Sequence, residues 1–146
     1  MSRSLISGLL KSGRTPASIQ VSNPHPALRE ALTKDFAVAA FADNTHATDG
    51  ADTWVFAVKP QVMKSVCEAL MLQAQAQMPL IVSIAAGITS EQIDRWLGGG
   101  LAIVRCMPNT PALLGAGATG LFANARVTPA QQSSADALLK AAGMTV

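Results

Sequence analysis

The sequence predicts an α/β fold whose doubly wound parallel sheet is covered by helices on both faces. Short apolar segments of strand length alternate with segments of helical periodicity, and the connections between them are short. Residues 53–58 and 80–84 are almost continuously apolar, which is typical of strands buried on both faces. The chain has 146 residues, of which 49% are hydrophobic, enough for one domain with a substantial core.

The predicted elements follow in chain order. Leu5, Ile6, Leu9 and Leu10 repeat at helical spacing, and Gly13 ends that first helix. The remaining helices are predicted at residues 26–34, 43–48, 61–75, 89–97 and 129–142, and the strands at 19–21, 37–41, 53–58, 80–84, 102–106 and 118–123. Two capping boxes, Thr89 with Gln92 and Thr128 with Gln131, mark the starts of the last two helices.

The longest predicted helix, at residues 61–75, carries two further predictions. Val62, Val66, Ala69 and Leu70 share one face, which we expect to point toward the sheet. Residues 73–77 are rich in Gln and Ala, and we expect a solvated helix end there. Helical periodicity thus assigns this helix an inward stripe and an exposed end.

Neither end of the chain coincides with the boundary of an element. The first helix begins almost at Met1, with no strand before it, and Met144-Thr145-Val146 resembles the start of another strand. We therefore expect the sequence to be part of a longer domain. It has no signal-peptide pattern and no segment that approaches the ~18 apolar residues of a membrane span, so a cytoplasmic location is expected.

Composition and charge exclude several classes of function. Charged residues make up 14% of the chain, and the formal net charge is +2. The 11 Lys and Arg are scattered rather than clustered as in a nucleic-acid-binding surface. Cys67 and Cys106 have neither a CxxC neighbour nor a His partner, so we expect reduced, partly buried thiols and no metal site.

Candidate ligand-binding residues follow the strands, because ligands of an open α/β sheet bind beyond the carboxyl ends of its strands. Ser22-Asn23-Pro24 occupies a position where NAD-binding folds usually carry Asp or Glu for the ribose hydroxyls. A hydroxyl and an amide donate to a 2′-phosphate without repelling it, which favours NADP over NAD. An Asx-type turn stopped by Pro24 is an equally good interpretation of these residues.

Two further loops carry candidate site residues. Lys59 places a cation where a pyrophosphate or carboxylate can bind, and Pro60 is expected to be the first residue of the next helix. However, an isolated lysine at the end of a strand is more often a surface residue. In Met107-Pro108-Asn109-Thr110-Pro111, two prolines stiffen the backbone on either side of Asn109 and Thr110, so the Asn and Thr side chains are held in place. That loop suits either the wall of a ligand site or a rigid structural role.

The ionisable side chains near these loops show no recognisable catalytic arrangement. His25 and His46 are expected at the surface, and Asp43 and Asp49 flank a loop where an N-cap role is expected. The sequence contains no Ser-His-Asp set, no paired carboxylates and no cluster of metal ligands. No catalytic residue is therefore assigned.

Together, these segments resemble pyrroline-5-carboxylate reductases over essentially the whole chain. The matching segments are Ser22-Asn23-Pro24, Asp43-Asn44, Ala57-Val58-Lys59-Pro60-Gln61, Ser83-Ile84-Ala85-Ala86-Gly87-Ile88, Arg105-Cys106-Met107-Pro108-Asn109-Thr110-Pro111-Ala112, Gly115-Ala116-Gly117 and Phe122-Ala123-Asn124. The family has a Rossmann-like fold and reduces the C=N bond of 1-pyrroline-5-carboxylate with NADPH, or NADH, to give L-proline. The resemblance therefore implies an NAD(P)H-dependent imine oxidoreductase of proline biosynthesis.

The resemblance also implies roles for individual residues. Ser22-Asn23-Pro24 would meet the adenosine 2′-phosphate, and Asn44 with Ala57-Val58-Lys59-Pro60 would line the path from ribose and pyrophosphate to nicotinamide. Ala85 and Ala86 would pack near the nicotinamide ribose, and the loop from Met107 to Pro111 would border the hydride-transfer site. The protein contributes positioning, since the cofactor supplies the hydride.

The sequence departs from the family at both ends. The family begins with a strand and a Gly-x-Gly-Asn-Met turn whose Met coincides with Met1. We therefore expect residues 1–146 to lack the first strand and the Gly-rich loop, which would leave two flanking strands with unpaired edges. We also expect them to lack the family's C-terminal helical domain, which forms the dimer and much of the substrate site.

We therefore expect residues 1–146 to form a partial dinucleotide-binding domain that is inactive alone, and the parent to be a homo-oligomer. Two alternatives stay open from the sequence. One is another Rossmann-fold NAD(P)-dependent dehydrogenase, such as one acting on 3-hydroxy acids. The other is a non-catalytic nucleotide-binding remnant.

Overall fold

Helices and strands alternate along the chain as predicted. The computed structural model describes residues 2–108 and 119–141. Its strands are β1 (Gln20–Ser22), β2 (Ala39–Phe41), β3 (Thr53–Phe56), β4 (Leu80–Ser83), β5 (Ala102–Pro108) and β6 (Thr119–Ala123). Its helices are α1 (Ser2–Lys11), α2 (Pro26–Phe36), α3 (Asn44–Thr48), α4 (Pro60–Gln77), α5 (Ser90–Trp96) and α6 (Pro129–Ala141), with a 3-10 turn at Pro16–Ser18. The suggested strand at Met144-Thr145-Val146 lies outside the described residues.

The strands form two sheets rather than one. β1 pairs with β2 in parallel, and β3, β4, β5 and β6 form a second sheet in that order. The arrangement agrees with the expectation of two strands that each have an unpaired edge: among the described residues, β1 pairs only with β2 and β3 pairs only with β4. β6 is antiparallel to β5, which differs from the parallel prediction. Residues 109–118 are too few for the crossover of a dozen or more residues that a parallel neighbour requires.

Helices cover both faces of the four-stranded sheet, as the doubly wound prediction requires. α1 and α6 pack on one face, and α4 and α5 pack on the other. All four residues of β4 are buried: Leu80 and Val82 face α1 and α6, whereas Ile81 faces α4 and α5. Apolar burial of this kind stabilises the fold by about 25 cal/mol per Å².

β3 differs from β4, although the sequence predicts both to be buried on both faces. Trp54 and Phe56 are buried with the residues of α4, whereas Thr53 and Val55 are only half-buried. Among the described strands, β3 pairs with β4 alone and therefore lies at an edge of its sheet. An edge strand is less covered than a central one, so the prediction is wrong for β3 and confirmed for β4.

α1 packs against the cores of both sheets. Leu5 and Leu9 belong to the core between α6 and the four-stranded sheet, whereas Ile6 packs with Leu32 of α2. Ile19, just before β1, contacts both clusters. Apolar contacts beneath one helix therefore connect two sheets that share no strand pair among the described residues.

The buried face of α4 is not the one that periodicity predicts. Val62 is 43% exposed and Ala69 is also exposed, so the predicted stripe is wrong at those positions. The helix is apolar around much of its circumference, so more than one stripe fits the helical period. The short exit from β3 into Pro60 then fixes which stripe turns inward. That stripe is Met63, Cys67, Leu70 and Ala74.

The Gln-rich end of α4 makes hydrogen bonds to neighbouring loops and is not simply a solvated helix end. Gln73 donates through Nε2 to a backbone carbonyl oxygen of α3 at 3.0 Å. Gln75 donates through Nε2 to the carbonyl oxygens of Leu97 and Gly99, both at 2.8 Å. Gln77 accepts through Oε1 from a backbone N–H between α3 and β3 at 3.2 Å. These bonds tie α4 to the segments that follow α3 and α5.

The predicted helix starts are confirmed. The backbone N–H of Gln92 donates to Oγ1 of Thr89 at 3.1 Å, and the N–H of Thr89 donates to Oε1 of Gln92 at 2.9 Å. Thr128 and Gln131 make the same two bonds at α6. Pro60 is the first residue of α4. These local signals define where the helices begin, independently of how they pack.

Neither cysteine forms a disulfide, and both are buried. Burial raises the pKa of the Cys67 thiol to about 12, and the neighbouring Glu68 carboxylate acts in the same direction. The thiol is therefore protonated at neutral pH and is a poor nucleophile.

Candidate functional site

The polar residues selected from the sequence lie at the carboxyl ends of strands. Ser22 is the last residue of β1, and Asn44 is the first residue of α3, shortly beyond β2. Because β1 and β2 are parallel, their carboxyl ends share one edge of the sheet. Both side chains are half-buried, and the hydroxyl of Ser22 donates to Oδ1 of Asn44. This bond engages the amide oxygen of Asn44 and leaves its N–H groups as donors.

The residues after β1 form an Asx-type turn, one of the two interpretations that the sequence allowed. Oδ1 of Asn23 accepts from the backbone N–H of His25 at 2.9 Å. The backbone N–H of Asn23 donates to the carbonyl oxygen of Phe41 at 3.0 Å. Pro24 is exposed, and α2 begins two residues later. The turn therefore fixes Asn23 at the carboxyl edge of the two-stranded sheet.

Arg29 belongs to this group, although the sequence analysis did not select it. It lies in the first turn of α2, is half-buried, and donates through Nη1 to the carbonyl oxygen of Asn23 at 2.8 Å. The signal available in the sequence was a cation at the start of the helix that follows the turn. Arg29 also lines a groove of about 400 Å³ together with Glu30, Thr33, Lys34 and Ala40.

The loop between β2 and α3 carries an ordered Asp–His pair. Asp43 accepts from the hydroxyl of Thr45 at 2.6 Å and from the backbone N–H of His46 at 2.9 Å, and its Oδ2 lies 2.7 Å from Nδ1 of His46. These bonds, that from Thr45 foremost, lower the pKa of the Asp43 carboxyl to about 2. The His46 ring stacks on Phe41 with 6.2 Å between centroids. The Asp43 carboxylate therefore points toward the backbone N–H groups at the start of α3.

Two sequence predictions for this region are confirmed and one is wrong. Asp43 is the N-cap of α3, and His25 and His46 are exposed, all as expected. Asp49 does not cap a helix start but stands at the C-terminal end of α3. Asp43 and Asp49 flank the same short helix, and the free backbone N–H groups of a helix lie only at its N-terminal end, where Asp43 stands.

A second group of predicted site residues lies at the carboxyl edge of the four-stranded sheet. β3 and β4 are parallel neighbours, so the loops that follow them are adjacent. The backbone N–H of Ile84 donates to the carbonyl oxygen of Phe56 at 3.2 Å, which joins the two exits. The residues of this group are Ala57, Val58, Lys59 and Pro60 after β3, and Ala85 and Ala86 after β4.

Apart from Lys59, these two exits consist of small or apolar side chains and backbone. The N–H of Ala85 donates to Oγ of Ser83 at 3.3 Å, and Gly87 completes the turn with a φ of 77°. A side chain other than hydrogen is strained at that φ. Lys59 is exposed, as its interpretation as a surface residue requires. Of the two alanines after β4, Ala85 is buried and Ala86 is exposed.

The predicted wall loop is only partly within the described residues. Met107 and Pro108 are the last two residues of β5, whose parallel pairing with β4 brings its carboxyl end to the same edge. Asn109, Thr110 and Pro111 lie outside the described residues. Their role as a substrate-site wall stays a prediction.

The site offers hydroxyl, amide, guanidinium and backbone groups. Within residues 2–108 and 119–141, no group of three or more His, Cys, Asp or Glu side chains is arranged to hold a metal ion. In the same ranges, no helix is long and apolar enough to cross a membrane. The hydroxyl, amide, guanidinium and backbone N–H donors of the site are groups that bind phosphate-bearing ligands.

Several known proteins are similar to this chain. Residues 1–87 match the model of the family described as NADP oxidoreductase, coenzyme F420-dependent. The chain is 46% identical over its whole length to the pyrroline-5-carboxylate reductase of Pseudomonas aeruginosa, and covers 53% of that protein. It is 39% identical to the Escherichia coli reductase over 94% of this chain and 51% of the relative. The chain therefore spans about half the length of these curated relatives.

Solved structures share the fold. A pyrroline-5-carboxylate reductase from Coxiella burnetii matches with a TM-score of 0.94 and 37% identity, over 99% of this chain and 54% of the other. A pyrroline carboxylate reductase from Plasmodium falciparum, solved with NADP bound, matches with a TM-score of 0.79 and 21% identity, over 99% and 52%. The fold is thus the Rossmann-like α/β fold of these structures. Because the family model matches more than half of its residues, the chain belongs to the NADP oxidoreductase, coenzyme F420-dependent family.

Proposed function

We propose that this chain is the NADPH-binding part of a pyrroline-5-carboxylate reductase. The observation that carries the proposal is the polar cluster at the carboxyl ends of β1 and β2, where Ser22 donates to Asn44 and Arg29 holds the turn. Similarity to reductases of that name over the whole chain supplies the substrate class.

The cluster favours NADPH over NADH. The turn after β1 carries Ser22 and Asn23 where an acidic residue would bond the ribose hydroxyls of NADH and repel a 2′-phosphate. Asp43 lies in the next loop, but its carboxylate is engaged by Thr45 and His46. A phosphate at the 2′ position therefore meets donors rather than an opposed negative charge.

The residues at the strand ends are assigned along the cofactor. Ser22, Asn23 and Pro24 bind the adenosine 2′-phosphate, and Asn44 binds the adjacent ribose. Residues 57–60 line the pyrophosphate path, and Ala85 and Ala86 pack near the nicotinamide ribose. The adjacent exits of β3, β4 and β5 in one sheet support this assignment, because an extended dinucleotide lies across the carboxyl ends of successive strands.

The complete reaction reduces 1-pyrroline-5-carboxylate to L-proline. When bound, NADPH supplies the hydride to the carbon of the C=N bond, and a proton taken up at nitrogen balances the reaction. The residues of this chain bind and orient, and the loop from Met107 to Pro111 borders the imine. Because the chain spans about half of its relatives, we assign imine binding and homo-oligomer formation to residues beyond this sequence, and expect no turnover by the chain alone.

A cytoplasmic location follows from the same proposal. Neither Cys67 nor Cys106 forms a disulfide, and unoxidised thiols persist in reducing compartments. Fractionation of the source cells tests this location. We expect the chain in the soluble cytoplasmic fraction, and its detection in the periplasmic fraction would contradict the proposal.

The proposal is tested by thermal unfolding of the purified chain in the presence of NADPH. A ligand that binds only the folded state raises the free energy of unfolding by about 2.7 kcal/mol at a hundredfold excess over its dissociation constant. We expect the midpoint to rise with NADPH and to rise less with NADH. A transition that ignores both cofactors would contradict the proposal and favour a remnant without a ligand.

Matched double variants locate the binding site. Replacing Ser22 and Asn44 by Ala removes two polar groups of the cluster and should weaken NADPH binding about tenfold or more. The control replaces Ser134 and Gln132, exposed residues of α6, by Ala and should leave binding unchanged. Equal effects of the two double variants would place the cofactor elsewhere.

A further inference from the structure

We propose that Arg29 is the residue that makes this site prefer a 2′-phosphorylated cofactor. The inference rests on the proposed function and adds to it a residue that neither the sequence motifs nor the family resemblance indicated. Its basis is the position of the guanidinium between the turn after β1 and an open groove.

The first observation is the contact with the turn. Nη1 of Arg29 donates to the carbonyl oxygen of Asn23 at 2.8 Å, so the guanidinium is held beside the residues that follow β1. That bond uses one of the five N–H donors of the guanidinium. A planar group with several remaining donors is suited to a phosphate, which it contacts through two parallel hydrogen bonds.

The second observation is the space on the other side of the side chain. Arg29 as a whole is half-buried, and it lines the open groove of about 400 Å³ together with Ala40 of β2. Lys34 adds a second cation to the groove and Glu30 adds an anion. The groove therefore carries one more positive than negative side chain, and its charge balance depends on Arg29.

The third observation is that the other donors of the cluster are partly engaged. The Ser22 hydroxyl donates to Asn44, and the Asn23 amide oxygen closes the Asx-type turn. Uncharged groups of this kind contact ribose and phosphate alike and therefore discriminate poorly between NADPH and NADH. A cation interacts with the 2′-phosphate of NADPH far more strongly than with the 2′-hydroxyl of NADH. Discrimination between the cofactors is therefore assigned to Arg29.

The test measures dissociation constants of NADPH and NADH for the full chain and for Arg29→Gln, which removes the charge and keeps a donor for Asn23. We expect NADPH to bind about ten- to a hundredfold more weakly and NADH to change by less than about twofold. Competition by 2′-AMP should weaken in parallel, and competition by 5′-AMP should not. Arg29→Lys, which keeps the charge, should retain part of the preference.

Two charge variants of the groove sharpen the test. Glu30→Gln removes the opposing carboxylate and should strengthen NADPH binding, and Lys34→Gln should weaken it less than Arg29→Gln does. Their unfolding midpoints without ligand show whether each variant is folded.

The outcomes separate the inference from the proposed function. If Arg29→Gln and Arg29→Lys weaken NADPH and NADH by the same factor, Arg29 only positions the turn and the inference is overturned while the proposed function stands. If the unaltered chain binds neither cofactor, the proposed function fails and the inference fails with it.

Discussion

The two sheets of this molecule differ in how completely they are buried. Every residue of β4 is buried, and apolar cores cover both faces of its sheet. β1 and β2 have three residues each, and in both strands one residue is exposed and two are half-buried. The larger sheet thus provides most of the apolar stabilisation, whereas the smaller sheet keeps the polar cluster accessible to a ligand. Binding and stability are carried by different parts of one chain.

The largest expected effect tests where the stability resides. Leu70 of α4 is 1% exposed within the large core, and Leu32 of α2 is 8% exposed within a small cluster. Leu70→Ala should lower the free energy of unfolding by about 3–5 kcal/mol, and Leu32→Ala by about 2–3 kcal/mol, because a smaller cluster relaxes around the cavity more easily. Urea unfolding measures both. Equal losses would show that the two regions are equally well packed.

A smaller effect is expected where α4 is tied to the loop after α5. Gln75→Ala removes two hydrogen bonds and should cost about 1–2 kcal/mol in the free energy of unfolding. Gln61→Ala, at an exposed position near the other end of α4, is the matched control and should cost much less. Chemical unfolding of both variants compares them. Equal costs would mean that the glutamine bonds add nothing beyond helix propensity.

The smallest expected effect concerns the rim of the small sheet. The pKa of Asp43 is lowered to about 2, so the ionised carboxylate stabilises the folded state above its ordinary pKa near 4, and this stabilisation is lost as pH falls toward 2. Asp43→Asn should lower the thermal midpoint at neutral pH, and the difference from the unaltered chain should shrink between pH 4 and pH 2. Asp49→Asn removes the same charge at the C-terminal end of α3, where a carboxylate meets no free backbone N–H groups, and should lower the neutral-pH midpoint less. A difference independent of pH would contradict the role of the charge.

Much of the fold and part of the site were predictable from the sequence. The element order, the capping boxes at Thr89 and Thr128, and the N-cap role of Asp43 depend on residues a few positions apart, and all are confirmed. The placement of Ser22 and Asn44 at strand ends followed from the same local signals. Their mutual hydrogen bond did not, because it joins residues 22 positions apart.

The errors share a physical cause. The inward stripe of α4, the burial of β3 and the bonds of the Gln-rich helix end depend on which other segment packs alongside. Arg29 was missed because only the folded backbone shows its bond to the carbonyl oxygen of Asn23 and the groove that α2 forms with Ala40 of β2. A pattern along one segment contains no information about that neighbour.

The sequence by itself determined the order of helices and strands, the starts of the capped helices and which loops carry polar groups, because hydrogen bonds within a turn and side-chain periodicity act over a few residues. Only the tertiary structure decided that β6 runs antiparallel, that β1 and β2 form their own sheet, and that Ser22, Asn44 and Arg29 share one cluster. Those outcomes depend on contacts between distant segments. There, burial of apolar surface selects among arrangements that local conformational preferences do not distinguish.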